Sequence, residues 1–140
     1  MASQPQAADP HSHVGEQIGC RVSDSFASWM AQAGGSLVVT TYQAGKLVMV
    51  GWDQGRGQVT LLFRQFDKPM GLAASSDAKR LALATRQSVV LLADAPLLAP
   101  DYLEEHKGRY AALYLPRAAY FTGDLNVHDL AFDGEHARTR

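Results

Sequence analysis

The densest group of side chains that could carry chemistry lies between positions 117 and 129. It contains two carboxylates, one imidazole and several hydroxyl or amide groups: Arg117, Tyr120, Thr122, Asp124, Asn126, His128 and Asp129. Carboxylates and an imidazole can bind a metal ion or transfer protons, and the smaller polar groups can orient a ligand. The structural alternative is that residues 122–124 form a turn and that His128 is a hydrogen-bonded side chain in a channel. The sequence leaves both interpretations open.

A second set of candidates occupies two turns. Tyr42 and Gln43 follow one apolar segment, and Arg86 takes the place of Tyr42 after a second, similar segment. Polar residues on the loops of a rigid scaffold are common ligand contacts. The alternative is that these residues only cap exposed turns. The candidate ligand-binding residues are therefore Tyr42, Gln43, Arg86, Arg117, Thr122, Asp124, His128 and Asp129.

Composition and motifs exclude several classes of function. Lys and Arg number 13 and Asp and Glu 14, so a formal charge of -1 provides no electrostatic footprint for nucleic acid or an anionic membrane. No segment approaches the ~20 apolar residues that span a bilayer. The single cysteine, Cys20, rules out an internal disulfide and a paired-thiolate zinc site. We therefore expect a cytoplasmic protein without a membrane span, and we assign it no cofactor and no metal ligands.

The elements that must position the candidates are mainly short strands. Ser23 or Asp24 as N-cap and Gly34 as a stop, around apolar residues at helical spacing, predict a short N-terminal helix. From residue 36 onward, apolar segments alternate with polar or glycine-rich turns and predict strands at 37–41, 46–52, 58–63, 69–74, 81–85 and 88–93. Their short connections favour antiparallel neighbours. The predicted fold class is all-β, an antiparallel meander with one helix.

The meander contains an internal repeat. Residues 37–43 (LVVTTYQ) and 81–87 (LALATRQ) share Leu, Thr and Gln at a constant offset of 44. This spacing is typical of β-propeller blades, which run about 40–50 residues. Residues 69–73 (PMGLA) are echoed by residues 127–131 (VHDLA) at an offset of 58, and the extra length predicts an insertion within residues 95–119. Chance similarity between short apolar strands is the alternative.

On this register the chain supplies about two blades and one further strand. We predict a disordered leader at residues 1–19, a partial propeller-like domain at 20–134 and a polar tail at 135–140. A ring needs at least four blades, about 160–200 residues, which indicates a fragment, a truncated product or a degenerate copy. The unpaired strand edges of an incomplete ring favour self-association.

Several motifs in a fixed order resemble one protein family. They are residues 40–47 (TTYQAGKL), 66–72 (FDKPMGL), 83–86 (LATR), 115–117 (LPR), 120–124 (YFTGD) and 127–131 (VHDLA). Together they resemble the N-terminal part of a bacterial family of conserved hypothetical proteins that carry a domain of unknown function, over residues 25–134. The resemblance implies a propeller-like fold in proteins about twice this length or more, and it implies no activity.

The expected function is a noncatalytic binding or interaction module, with a small molecule or a protein as its partner. No nucleophile elbow, phosphate-binding loop or paired-histidine zinc motif is present. The alternative is a propeller-type, metal-assisted hydrolase acting on a sugar-like or lactone-like substrate. In that case Asp124, His128 and Asp129 would be the metal ligands or acid and base groups.

Overall fold

The N-terminal helix forms where the capping residues predict it. In the computed structural model, which describes residues 21–134 and 136–139, helix α1 spans Asp24–Ala33. The Oγ of Ser23 accepts a hydrogen bond from the backbone N of Phe26 at 3.2 Å, which satisfies one free N–H of the first turn. Gly34 ends the helix in the left-handed conformation, at φ 64°. The prediction of a short helix is confirmed.

Nine strands form three sheets in the described residues, and every pairing is antiparallel. The first sheet contains β1 (Leu37–Thr41), β2 (Lys46–Asp53) and β3 (Gln58–Gln65), in that order. The second sheet contains β4 (Leu72–Ala74), β5 (Arg80–Ala84), β6 (Ser88–Asp94) and β7 (Tyr114–Phe121). The third contains β8 (Leu130–Asp133) and β9 (His136–Thr139). The mostly-β, antiparallel prediction is confirmed.

The second sheet is covered on both faces, and β5 shows why. Its side chains alternate between large and small, so that Leu81 and Leu83 point to one face and Ala82 and Ala84 to the other. The leucines belong to a buried cluster that also includes Leu47 of the first sheet. The alanines belong to a second buried cluster that includes Leu130 and Val127. The middle sheet therefore packs between the first and third sheets.

Helix α1 packs against β2 and β3 of the first sheet. Met30 is the buried residue of this helix, at 1% exposure. Within the described residues the three sheets do not close into a ring.

Two of the predicted segments contain strands. β7 begins at Tyr114, inside the predicted insertion 95–119, so the excursion covers residues 95–113 and contains 3₁₀ turns at Ala99–Asp101 and Glu104–His106. β7 forms there because it completes the free edge of β6. The predicted polar tail contains β9, because Gly134 at φ 59° turns the chain back along β8. The predicted leader, residues 1–19, lies outside the described residues. No helix among the described residues is long and apolar enough to cross a membrane.

Candidate functional site

Four connections gather at one end of the sheets. The pairings Thr41↔Lys46 and Lys46↔Gln65 place the β1–β2 turn next to the end of β3. The pairing Ser88↔Phe121 places the β5–β6 turn next to the end of β7. We call this end the turn rim. It consists of residues 42–45, 66–71, 85–87 and 122–129. The opposite end carries the turns at 54–57 and 75–79 and the excursion 95–113.

Backbone hydrogen bonds hold the segments of the turn rim against one another. The N of Arg86 donates to the O of Asp67 at 3.0 Å, and the N of Thr122 donates to the O of Gln87 at 2.9 Å. The N of Gly71 donates to the O of Val127 at 3.3 Å, which ties the second sheet to the segment leading into the third. The rim is therefore a connected surface rather than a set of separate loops.

Arg86 and Asp124 form an ion pair across the turn rim. Both Nε and Nη2 of Arg86 lie 3.3 Å from Oδ2 of Asp124. The two side chains are 43% and 48% exposed, so the pair is well solvated. Exposed ion pairs contribute little to stability. The sequence identified both residues separately, and the structure brings them together.

Tyr42 stands where two clefts of the turn rim meet. Its side chain is 42% exposed, and the Nζ of Lys68 lies 5.5 Å from the centre of its ring, in a cation–π arrangement. One cleft is lined by Tyr42, Met70, Asn126 and His128. The other is lined by Tyr42, Gln43, Ala44, Gly45, Gln65, Phe66, Asp67 and Lys68. The rim thus presents an aromatic surface beside amide, imidazole and ammonium groups.

Two of the predicted site residues make local hydrogen bonds. The Oγ1 of Thr122 donates to the O of Gly123 at 3.0 Å, inside the turn. The Oδ1 of Asp129 accepts from the N of Leu130 at 2.8 Å, at the start of β8. The bond made by Thr122 agrees with a turn at residues 122–124.

Arg117 lies away from the turn rim. It is an exposed residue within β7, where the register with β6 shifts between Leu91 and Leu92. Leu91 pairs with Ala118 and Leu92 with Pro116, so Arg117 is the extra residue of a β-bulge. Arg117 lies in the interior of β7, which pairs with β6, whereas the other candidates lie on the turn rim beyond the ends of the strands.

Sequence reasoning missed Lys68 and Met70 as rim residues. Both lie in the segment that follows β3, where Pro69 signals only the end of a strand. The repeat at an offset of 58 contained the missing signal, because it relates Lys68 to Asn126 and Met70 to His128. Met70 and His128 line the same cleft, although the repeat assigns them to successive sheets.

Among residues 21–134 and 136–139, no group of three or more His, Cys, Asp or Glu side chains is arranged to hold a metal ion. Asp124, His128 and Asp129 are therefore not gathered as a metal-ligand set.

Comparison with known proteins identifies one family. The family described as a domain of unknown function, DUF4915, matches residues 24–139, which covers α1 and all nine strands. The match includes residues 136–139, beyond the end of the resemblance at residue 134. Searches of curated proteins and of solved structures found no match.

Proposed function

The chain belongs to the DUF4915 family, a domain of unknown function, and from this premise we propose that it is a noncatalytic binding module whose ligand site is the turn rim around Tyr42. The ligand we propose is a small polar molecule with one flat apolar face. The observation that carries this proposal is the position of Tyr42, whose exposed ring lines both rim clefts.

The chemistry of the rim supports such a ligand. A flat apolar face can stack on the Tyr42 ring, and stacking on an aromatic surface is favourable without requiring charge. Asn126 and His128 supply hydrogen-bond donors and acceptors on one side of the ring. Lys68 supplies a cation on the other side. The positive charge of Arg86 is already engaged by Asp124.

We further propose that the three sheets are blades of a β-propeller. The middle sheet packs face to face with a sheet on either side. β4 and β8, the first strands of the second and third sheets, lie next to each other, as inner strands do around a propeller axis. The sequence offset of 44 supports the same arrangement, because it superimposes β1 on β5. The turn rim would then be one end of the propeller channel.

The site is tested by ligand-observed NMR with a library of small polar fragments that contain an aromatic ring. We expect fragments whose binding weakens at least about tenfold in Tyr42→Ala protein, equivalent to about 1.4 kcal/mol, and also weakens in His128→Ala. The matched control is Tyr120→Ala, because Tyr120 is 58% exposed and lines neither cleft. A library in which no fragment depends on Tyr42 contradicts the proposal.

The same samples test the hydrolase alternative. Fragments that bind are incubated with the protein, with and without added divalent metal, and followed for product formation. The binding-module proposal predicts no turnover. Metal-dependent turnover that is lost in Asp124→Ala would establish the hydrolase instead.

Self-association through open strand edges remains a further proposal. Within the described residues, β1 and β3 border the first sheet and β4 and β7 the second. Pro116 and the bulge at Arg117 interrupt the edge of β7, which limits strand addition there. Sedimentation velocity tests the proposal, and a monomer at all concentrations contradicts it. The cytoplasmic location stays a prediction.

A further inference from the structure

A second cleft lies at the end of the first sheet opposite to the turn rim. It is formed where the excursion 95–113 crosses the face of the sheet. One part, about 280 Å³, is lined by Trp52, Asp53, Gln58, Val59, Thr60, Leu61, Arg109 and Tyr110. The adjoining part, about 190 Å³, shares five of these residues and extends to Ser36, Val38, Met49, Gly51 and Tyr114. We call it the Gly51 cleft.

Gly51 lines the adjoining part of the cleft and leaves space there because it has no side chain. Gly51 pairs with Thr60 across β2 and β3, so both residues face the same side of the sheet. A Cβ built on Gly51 would lie 3.1 Å from the Oγ1 of Thr60 and 3.8 Å from the Oγ of Ser36. The space beside Gly51 is therefore flanked by two hydroxyl groups, each able to donate and to accept a hydrogen bond.

The other wall is fixed in place by the excursion. The Nη2 of Arg109 lies 3.2 Å from Oδ2 of Asp53, and these side chains are only 22% and 16% exposed. Tyr110 packs edge to face on Tyr102, with ring centres 5.9 Å apart. The guanidinium of Arg64 lies 5.4 Å from the centre of the Tyr102 ring and links the excursion to β3. The cleft is thus formed before any ligand enters.

The charges at the cleft compensate one another. Burial alone would raise the pKa of Asp53, but hydrogen bonds from the backbone N of Arg56 and from Arg109 outweigh it and lower the pKa. The carboxylate therefore stays ionised at neutral pH and balances the Arg109 guanidinium. Because this pair is neutral as a whole, the cleft does not favour a charged ligand.

We propose that the Gly51 cleft binds a neutral, hydroxyl-rich small molecule of the size of a monosaccharide or cyclitol. The hydroxyls of Ser36 and Thr60 bind ligand hydroxyls, while Tyr110 covers the apolar side of the ring. The part of the cleft lined by Ser36, Gly51 and Thr60 is about 190 Å³, and it continues into the part of about 280 Å³. Each part is smaller than the ~300 Å³ at which ligand pockets usually begin, which suits a single small ring. This site is separate from the turn rim and does not depend on the function proposed there.

The test is saturation-transfer difference NMR with D-glucose, D-galactose, D-mannose and myo-inositol as probes. We expect at least one probe to bind in the millimolar range and to lose affinity about tenfold in both Gly51→Ala and Thr60→Val. Gly51→Ala fills the space beside Gly51, and Thr60→Val removes a hydroxyl with little change of shape. Thermal melts determine whether each variant is folded, and one folded variant keeps the test valid if the other fails to fold.

The matched control is Gly55→Ala, in the turn of the same hairpin, where a Cβ meets only Oδ1 of Asp53 at 3.4 Å. This variant, and Tyr42→Ala at the turn rim, should bind the probe as the unmodified protein does. The proposal is overturned by the absence of signal from all four probes, by binding that survives in a folded Gly51→Ala or Thr60→Val protein, or by loss of binding in a folded control variant. Tighter binding of D-glucuronate than of D-glucose would overturn the assignment to a neutral ligand.

Discussion

Lys68 and Asn126 adopt the same left-handed backbone conformation at the same place before two successive sheets. Their φ angles are 45° and 50°, and each residue immediately precedes one copy of the repeat at an offset of 58. Non-glycine residues rarely adopt positive φ, and lysine has none of the local hydrogen bonding that helps asparagine do so. The repeat is therefore present in the backbone as well as in the residue types.

The strain at Lys68 can be measured with two substitutions. Lys68→Ala removes the cation above Tyr42 and keeps the strain, whereas Lys68→Gly removes both. Relief of about 1–2 kcal/mol of strain, partly offset by the greater freedom of glycine in the unfolded chain, should leave Lys68→Gly more stable than Lys68→Ala by about 1 kcal/mol. Urea denaturation provides the comparison. Equal stabilities would show that φ at this position is not strained.

The β1–β2 turn should tolerate no side chain at Gly45. Its φ is 63°, and a Cβ would lie 2.6 Å from Nε2 of Gln65 and 2.9 Å from the O of Phe66. Gly57 has the same φ of 63° with nothing within 4 Å, so it reports the backbone strain alone. Gly45→Ala should therefore cost about 1–3 kcal/mol more than Gly57→Ala in urea denaturation. The steric explanation is wrong if both substitutions cost the same.

The sequence predicted those elements that have strong local signals. The helix was bounded by Ser23 and Gly34, and the strands from β1 to β6 were bounded by glycine or polar turns. No strand was predicted at β7 because it is a largely exposed edge strand that contains Pro116, and such a strand lacks the alternation that identifies a half-buried one. β9 was not predicted because its residues have no apolar pattern, and it is a strand through its pairing with β8.

The sequence could indicate individual site residues but not which of their side chains lie close together. Turn chemistry indicated Tyr42 and Arg86, and local density of polar groups indicated Asp124 and His128. Whether these side chains meet depends on how successive sheets pack, and the sequence contains no local signal for that geometry. The same density of polar groups also indicated Arg117, which lies within β7 and not on the turn rim.

Close packing between the second and third sheets should depend on Gly71. A Cβ there would lie 3.1 Å from the backbone N and C of Asp129, and backbone atoms cannot move aside as a flexible side chain can. Gly71→Ala should destabilise the protein by about 1–3 kcal/mol and increase hydrogen exchange across residues 127–131. Gly55→Ala, with an ordinary 3.4 Å contact, is the control. A Gly71→Ala protein as stable as the control would argue against tight contact between the sheets.

The turn between β4 and β5 should make stability depend on pH. Oδ1 of Asp77 accepts hydrogen bonds from the Oγ of Ser75 at 2.6 Å and from the N of Lys79 at 3.0 Å. These bonds, with that from Ser75 the stronger cause, lower the pKa of Asp77 in the folded protein.

Because the folded state favours the ionised carboxylate of Asp77, its contribution to stability is present above the unfolded pKa of about 3.9 and is lost as pH falls through the lower folded pKa. Asp77→Asn removes this titration. The stability difference between the unmodified protein and Asp77→Asn should therefore be largest at pH values well above that unfolded pKa and should shrink in more acidic solution. Urea denaturation of both proteins across this range measures it. A difference that stays constant with pH would mean that the two hydrogen bonds do not depend on the charge of Asp77.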